Sequence, residues 1–152
     1  MTINLICIGK IKEKYIRDGI EEYLKRLSSS IKVNIIELKE FNTDDTSKNM
    51  EEEGKLILNQ ISNDYVVTLE IDGLNIDSVA LSEMIFDHYI YNSNVISFII
   101  GGSSGLSDEV KSRSNFKLSF GKMTYPHQLM RLILIEQVYR SFMIKSNSKY
   151  HK

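Results

Sequence analysis

The chain has 152 residues, 42% of them hydrophobic, enough for one ordinary domain around a continuous core without disulfide or metal staples. Its formal net charge of -1 excludes a protein that coats polyanions by charge alone, because non-specific nucleic-acid affinity requires many neutralised phosphates. The lone Cys7 cannot form an intrachain disulfide, no Cys/His spacing suits zinc, the first residues lack a signal peptide's pattern and no apolar run reaches the ~20 residues of a membrane helix, so a soluble cytoplasmic protein without a metal is expected.

Residues 3–8 are an apolar, branched run ending at Gly9, the pattern of a strand buried on both faces of a parallel sheet, with Cys7 as a small buried hydrophobe. From 13 to 27 the period changes. Tyr15, Ile16, Ile20, Tyr23, Leu24 and Leu27 share one side and Arg17, Asp18, Glu21 and Lys25 the other, which predicts an amphipathic helix ended by Ser28-Ser29-Ser30. Residues 31–38 alternate as a second strand, and a helix over about 46–61 turns Met50, Leu56, Ile57 and Ile61 inward. A third strand, 65–71, is stopped by Asp72-Gly73, and a helix from 77 to about 91 has Val79, Leu81, Ile85 and Tyr89 as core contacts. A fourth strand, 94–100, runs straight into Gly101-Gly102-Ser103-Ser104-Gly105, followed by a short helix with Asp108 and Glu109 in its first turn, where the helix dipole favours them. After a fifth strand, 116–120, and Gly121-Lys122-Met123-Thr124-Tyr125, the only proline, Pro126, stands in the first turn of a long final helix.

Regular alternation of strand and helix predicts a single α/β domain over 1–152, with a mainly parallel sheet of five to six strands and helices on both faces. Leu132-Ile133-Leu134-Ile135 puts aliphatic side chains all around one turn of the last helix. Either its own domain buries that turn or a second copy of the chain does; a homodimer is the preferred reading. Charge is unevenly placed: Asp44, Asp45, Glu51, Glu52 and Glu53 gather mid-chain, whereas Arg140, Lys145, Lys149 and Lys152 follow Glu136 with no carboxylate side chain among them.

In open α/β sheets ligands bind beyond the carboxyl ends of the strands. Three such ends carry unusual loops here: residues 69–73, 100–105 and 120–125. Glycine lets backbone groups approach a ligand closely, which suits a nucleoside; the alternative is that Gly101 and Gly102 only turn the chain. Neither G-x-G-x-x-G nor G-x-x-x-x-G-K-[ST] occurs, which favours a cofactor without phosphates such as S-adenosylmethionine.

Gly101-Gly102-Ser103-Ser104-Gly105-Leu106, the run from Leu118 through Phe120-Gly121-Lys122-Met123-Thr124-Tyr125-Pro126-His127 to Gln128, Ile135-Glu136-Gln137-Val138-Tyr139-Arg140 and the terminal Tyr150-His151-Lys152 resemble the RlmH family of ribosomal RNA methyltransferases. With Ile8-Gly9-Lys10 and Val67-Thr68-Leu69-Glu70 the resemblance covers essentially the whole chain. It implies a SPOUT-class methyltransferase, trefoil-knotted over about 95–145, working as a homodimer. The implied reaction is methylation of N3 of a pseudouridine in 23S ribosomal RNA of the assembled ribosome, with S-adenosyl-L-methionine as cofactor. The implied cofactor contacts are Leu69, Gly101, Phe120, Gly121, Lys122, Met123, Thr124 and Tyr125. The family usually has serine where this chain has Gly121, a departure that loosens the loop or removes a side-chain hydrogen bond while sparing backbone contacts.

Methyl transfer from a sulfonium is an in-line displacement that needs positioning, and the N3 proton needs a base or relay. His151, within an aromatic and basic tail, is the first candidate for that neighbourhood, with Arg140, Tyr150, His151 and Lys152 expected at RNA; the bland alternative is a frayed terminus. His127 either lines the pocket or satisfies backbone groups at the helix end, and His88 reads as surface or edge of core. Arg131 and Arg140 are candidates for phosphate, though Arg140 also stands four residues after Glu136 in the orientation that favours pairing. Lys10, Lys12 and Lys14 either extend the basic surface or mark a solvated helix start. Two further readings are a related knotted enzyme acting on tRNA and a non-enzymatic nucleotide- or ribosome-binding protein.

Overall fold

The computed structural model describes residues 1–91 and 94–152, with all side chains among them except those of residues 90 and 91. In chain order the elements are β1 (Thr2–Ile8), α1 (Lys14–Leu27), β2 (Lys32–Leu38), α2 (Thr46–Leu58), β3 (Tyr65–Asn75), α3 (Ser78–Tyr91), β4 (Val95–Ile100), α4 (Asp108–Arg113), β5 (Phe116–Ser119) and α5 (His127–Lys145). The strands form one five-stranded sheet in the order β2-β1-β4-β3-β5, with every pairing parallel.

The apolar run that opens the sequence becomes a central strand because both of its faces are covered. Ile3, Leu5 and Cys7 pack with Ile16, Ile20, Ile85, Leu134 and Val138, so α1, α3 and α5 share that face. Ile6 and Ile8 pack with Ile57 and Val110 on the opposite face, under α2 and α4. Burial pushes the Cys7 thiol up to about 12. One polar row interrupts the second face. Asn34 Nδ2 donates to Asn4 Oδ1 at 2.9 Å and Asn4 Nδ2 to Ser97 Oγ at 3.1 Å, residues that are register partners across three strands. Ser97 in turn donates to Asp64, so the row is satisfied to its buried end.

Several expectations are corrected by packing. Tyr15 is 67% exposed, and Val79 and Tyr89 are also exposed, whereas Leu81 and Ile85 are buried as expected. Helical period sets the angle between side chains but not how far a neighbour extends: α1 meets α5 closely at Gly19, where a Cβ would lie 2.9 Å from Leu132 Cδ1, and Tyr15, one turn earlier, is left in solvent. The inward residues of α2 are Asn49, Glu53, Gly54 and Ile57, while Met50, Leu56 and Ile61 are only half-buried and the helix ends at Leu58. Its polar stripe anchors loops: Glu53 Oε1 accepts from Phe41 N at 2.9 Å, and Asn49 Nδ2 donates to Thr43 O at 2.8 Å. Asp72-Gly73 does not end β3; the strand bulges there and resumes, Leu69 and Leu74 both pairing with Leu118. At Gly73 a Cβ would lie 2.6 Å from Lys117 O, so only glycine lets the strand return against β5.

On α5, Leu134, Ile135 and Val138 are fully buried within the chain, and Leu132 and Ile133 are half-buried. The domain itself therefore covers most of the apolar turn. Exposed Ile71, Leu74, Met123 and Tyr125 stand on the β3 bulge and on the loop that leads into α5.

Candidate active site

The carboxyl ends of β3, β4 and β5 surround a cleft of about 380 Å³. Its walls are mainly apolar: Leu69, Ile100, Leu106, Leu118, Phe120 and Met130. The loop after β4 is folded back tightly. Gly105 N donates to Gly102 O at 3.1 Å, Gly105 has φ +83, and a Cβ on Gly101 would stand 3.1 Å from both Gly105 and Leu106. Gly101 and Gly102 thus turn the chain and also line the cleft, so the two alternative readings of this loop both apply.

The loop after β5 is pinned by Ser119, which sequence reasoning did not single out. Its buried hydroxyl donates to Ile71 O at 2.9 Å and accepts from Gly121 N at 3.1 Å, tying the start of this loop to the β3 bulge. Gly121 has φ +105 with nothing within 4 Å of where a Cβ would stand, so a serine would meet open space but a backbone conformation that side chains rarely adopt. Among the expected cofactor contacts, Leu69, Gly101, Phe120, Gly121, Met123, Thr124 and Tyr125 line the cleft, whereas Lys122 does not and pairs in solvent with Asp72 at 3.2 Å. Leu106, Leu118 and Met130 were missed. Met130 was findable, since it stands one helical turn after His127 on the same face.

His127 also lines the cleft, in the first turn of α5. Burial, the Arg131 guanidinium and, more weakly, Lys12 hold its imidazole below the ordinary value, with Glu40 opposing. Arg131 is not a phosphate contact. It is fully buried, donating through Nη1 to Glu37 Oε1 at 3.1 Å and through Nη2 to the carbonyls of Ile8 at 2.6 Å and Gly9 at 3.0 Å. A side chain without solvent access cannot meet RNA, and what hides it is the folding of β1 and β2 against α5.

The C-terminal group lies elsewhere. Tyr150 Oη donates to Glu136 Oε1 at 3.0 Å, Arg140 pairs with Glu136 and covers the Tyr150 ring at 4.8 Å, and Arg140 Nη1 lies 3.4 Å from His151 Nδ1. The tail is thus folded against α5 rather than frayed, and Arg140 makes the Glu136 pair that its spacing allowed. From His127 to Arg140 is about 20 Å along the helix at roughly 1.5 Å per residue, so His151 and the cleft do not meet within one chain. His88 is half-buried and stacks on Tyr65 with ring centres 3.5 Å apart, and burial lowers its pKa. Among the described residues no group of three or more His, Cys, Asp or Glu could hold a metal ion, and no helix is long and apolar enough to cross a membrane.

The chain matches the family described as "Predicted SPOUT methyltransferase" over residues 1–151. Two similar curated proteins are each called "Ribosomal RNA large subunit methyltransferase H" and match over all of both chains. The one from Fusobacterium nucleatum is 52% identical and the one from Streptococcus sanguinis 46%. Among solved structures, a probable methylase family protein from Haemophilus influenzae Rd KW20 superposes with a TM-score of 0.58 at 11% identity, covering 99% of this chain and 70% of that one. At that identity the likeness concerns the fold alone.

Proposed function

Because the chain belongs to the SPOUT methyltransferase family, we propose that it transfers the methyl group of S-adenosyl-L-methionine to N3 of a pseudouridine in 23S ribosomal RNA of the assembled ribosome. The observation that carries this reading is the cleft: three strand-end loops make an apolar slot with glycine backbone at its edge and no glycine-rich phosphate loop. Its residues fit the cofactor. Leu69, Ile100, Leu106, Leu118 and Phe120 offer an apolar surface for adenine, and Gly101, Gly121 and Thr124 line the cleft where the ribose and the amino-acid end would be held. When bound, the cofactor supplies a methyl group on a positively charged sulfur.

The chain's own contribution is to bind, orient and manage one proton. The Gly101–Gly102 loop and the Ser119-pinned turn fix the slot from two sides, which supports in-line placement of a nucleophilic nitrogen. His127, kept largely unprotonated by burial and its cationic neighbours, is the proton acceptor this reading assigns from within the chain. His151, with Arg140, Tyr150 and Lys152, is assigned to the cleft of a second copy, because its own cleft is too far away. The exposed Ile71, Leu74, Met123 and Tyr125 beside the cleft support a homodimer built on that side. On the same reading the enzyme works in the cytoplasm, where ribosomes are, and the segment of about 95–145 closes as a trefoil knot.

The test is transfer of labelled methyl from S-adenosylmethionine to ribosomes lacking the modification, with separated subunits, naked ribosomal RNA and tRNA alongside. Label on one large-subunit pseudouridine of assembled ribosomes is the expected result. Label on tRNA alone would move the substrate, and cofactor binding without label anywhere would leave only a binding protein.

A further inference from the structure

The tail expected at RNA engages its main cation internally, since Arg140 is held by Glu136. A second basic group lies beside the cleft, on the loop between β1 and α1. The backbone of this loop is fixed at several points: Gly9 N donates to Leu38 O at 2.8 Å, Ile11 N to Glu37 Oε1 at 3.1 Å and Lys12 N to Gln128 Oε1 at 2.9 Å. Arg131 adds its two bonds to the Ile8 and Gly9 carbonyls. Burying a guanidinium completely is unfavourable unless its donors are used; here Nη1 and Nη2 are spent on Glu37 and on holding the loop, while Nε is buried without a hydrogen-bond partner among the described residues. Both α5 anchors, Gln128 and Arg131, alternate with His127 and Met130 of the cleft, so loop and cleft share one rigid support.

The outward side chains of the same loop do none of this holding. Lys10 and Lys12 are exposed, and neither belongs to any of the ion pairs among the described residues, whereas Lys14 pairs with Asp18. Glu13 and Glu40 bound the patch; Glu40 Oε2 would lie 3.2 Å from a Cβ on Gly9. Free cations at fixed backbone positions suit a ligand whose charges are regularly spaced, and phosphate contacts of this kind set the register of a protein on nucleic acid.

Resting on the ribosomal RNA reading above, we propose that the β1–α1 loop is a docking edge for the RNA backbone, in which Lys10 and Lys12 meet phosphates beside the nucleotide that enters the cleft. Arg131, Glu37 and Gln128 act as positioning residues for that edge.

The experiment is steady-state methyl transfer to assembled ribosomes lacking the modification, with ribosome concentration and KCl varied and S-adenosylmethionine binding measured separately by calorimetry. For Lys10→Ala/Lys12→Ala the expected result is a KM for ribosomes about tenfold higher with kcat within about twofold, and a log-log salt slope of kcat/KM reduced by about 1 to 2. Cofactor binding should stay as in the wild type, and Lys10→Arg/Lys12→Arg should restore KM. An unchanged KM overturns the proposal. A raised KM with the full salt slope also overturns it, and points instead to a contact with ribosomal protein. A wild-type enzyme that labels no ribosome would be visible before any variant is made, and would remove the substrate reading itself.

Discussion

His127 lines the cleft and is the proton acceptor of the proposed reaction; burial together with Arg131 and, more weakly, Lys12 depresses its pKa below 6.5. The neutral form therefore persists above that depressed pKa and is lost as pH falls through it. The kcat/KM profile for methyl transfer should show an acid limb with its midpoint below 6.5, and His127→Gln should abolish that limb and slow transfer by about 100-fold. A limb that survives the substitution would assign it to another group. Arg131 is a stability residue as well as a support. In Arg131→Met the Ile8 and Gly9 carbonyls lose the guanidinium, while the partly exposed Glu37 keeps its bond from Ile11 N, and urea unfolding should register a loss of roughly 1–3 kcal/mol. At Gly121 the φ of +105 makes serine cost about 1 kcal/mol of folding free energy, so Gly121→Ser should lower stability to urea by about that amount. Unchanged stability would mean that the loop relaxes. At this scale the individual contacts of the cleft came from the family resemblance, while its strand-end loops were legible, because glycines leave marks in a sequence. Ser119 and Arg131 were not, since a serine that pins a turn and an arginine buried by three elements look like any others until their partners are known.

Among the elements, β3 departs furthest from its sequence pattern. Asp72-Gly73 has the composition of a turn, but β5 offers pairing partners on both sides of it, so the strand bulges and continues to Asn75. Gly73→Ala would press a methyl group into the Lys117 carbonyl, where backbone cannot yield as a side chain can. Thermal unfolding should show a loss of about 2 kcal/mol or more, together with weaker cofactor binding, because Ser119 bonds the Ile71 carbonyl on the same bulge. Unchanged stability would contradict the close approach. For α2 the pattern found the helix but misread its inner face: the buried Asn49 and Glu53 serve the loop from Phe41 to Thr43, and polar residues inward are invisible to an apolar-period argument.

For the whole molecule, the separation of His151 from the cleft along α5 makes a sharp expectation. The protein should sediment as a dimer. His127→Ala and His151→Ala should each be nearly inactive alone, and mixing the two after dissociation should recover part of the activity, since one protomer of each mixed dimer then pairs an intact cleft with an intact tail. No recovery would return the tail to a structural role on its own helix. Alternation of strand and helix, the buried first strand, the glycine loops after β4 and β5 and the family motifs were all determined by the sequence itself, because local periodicity and backbone freedom are properties of neighbouring residues. Strand order, the continuation of β3, the burial of Arg131 and the distance between His127 and His151 were decided only in three dimensions. Each depends on which distant segment arrives alongside, and hydrogen-bond partners and solvent exclusion are set by that arrival rather than by the residue that receives it.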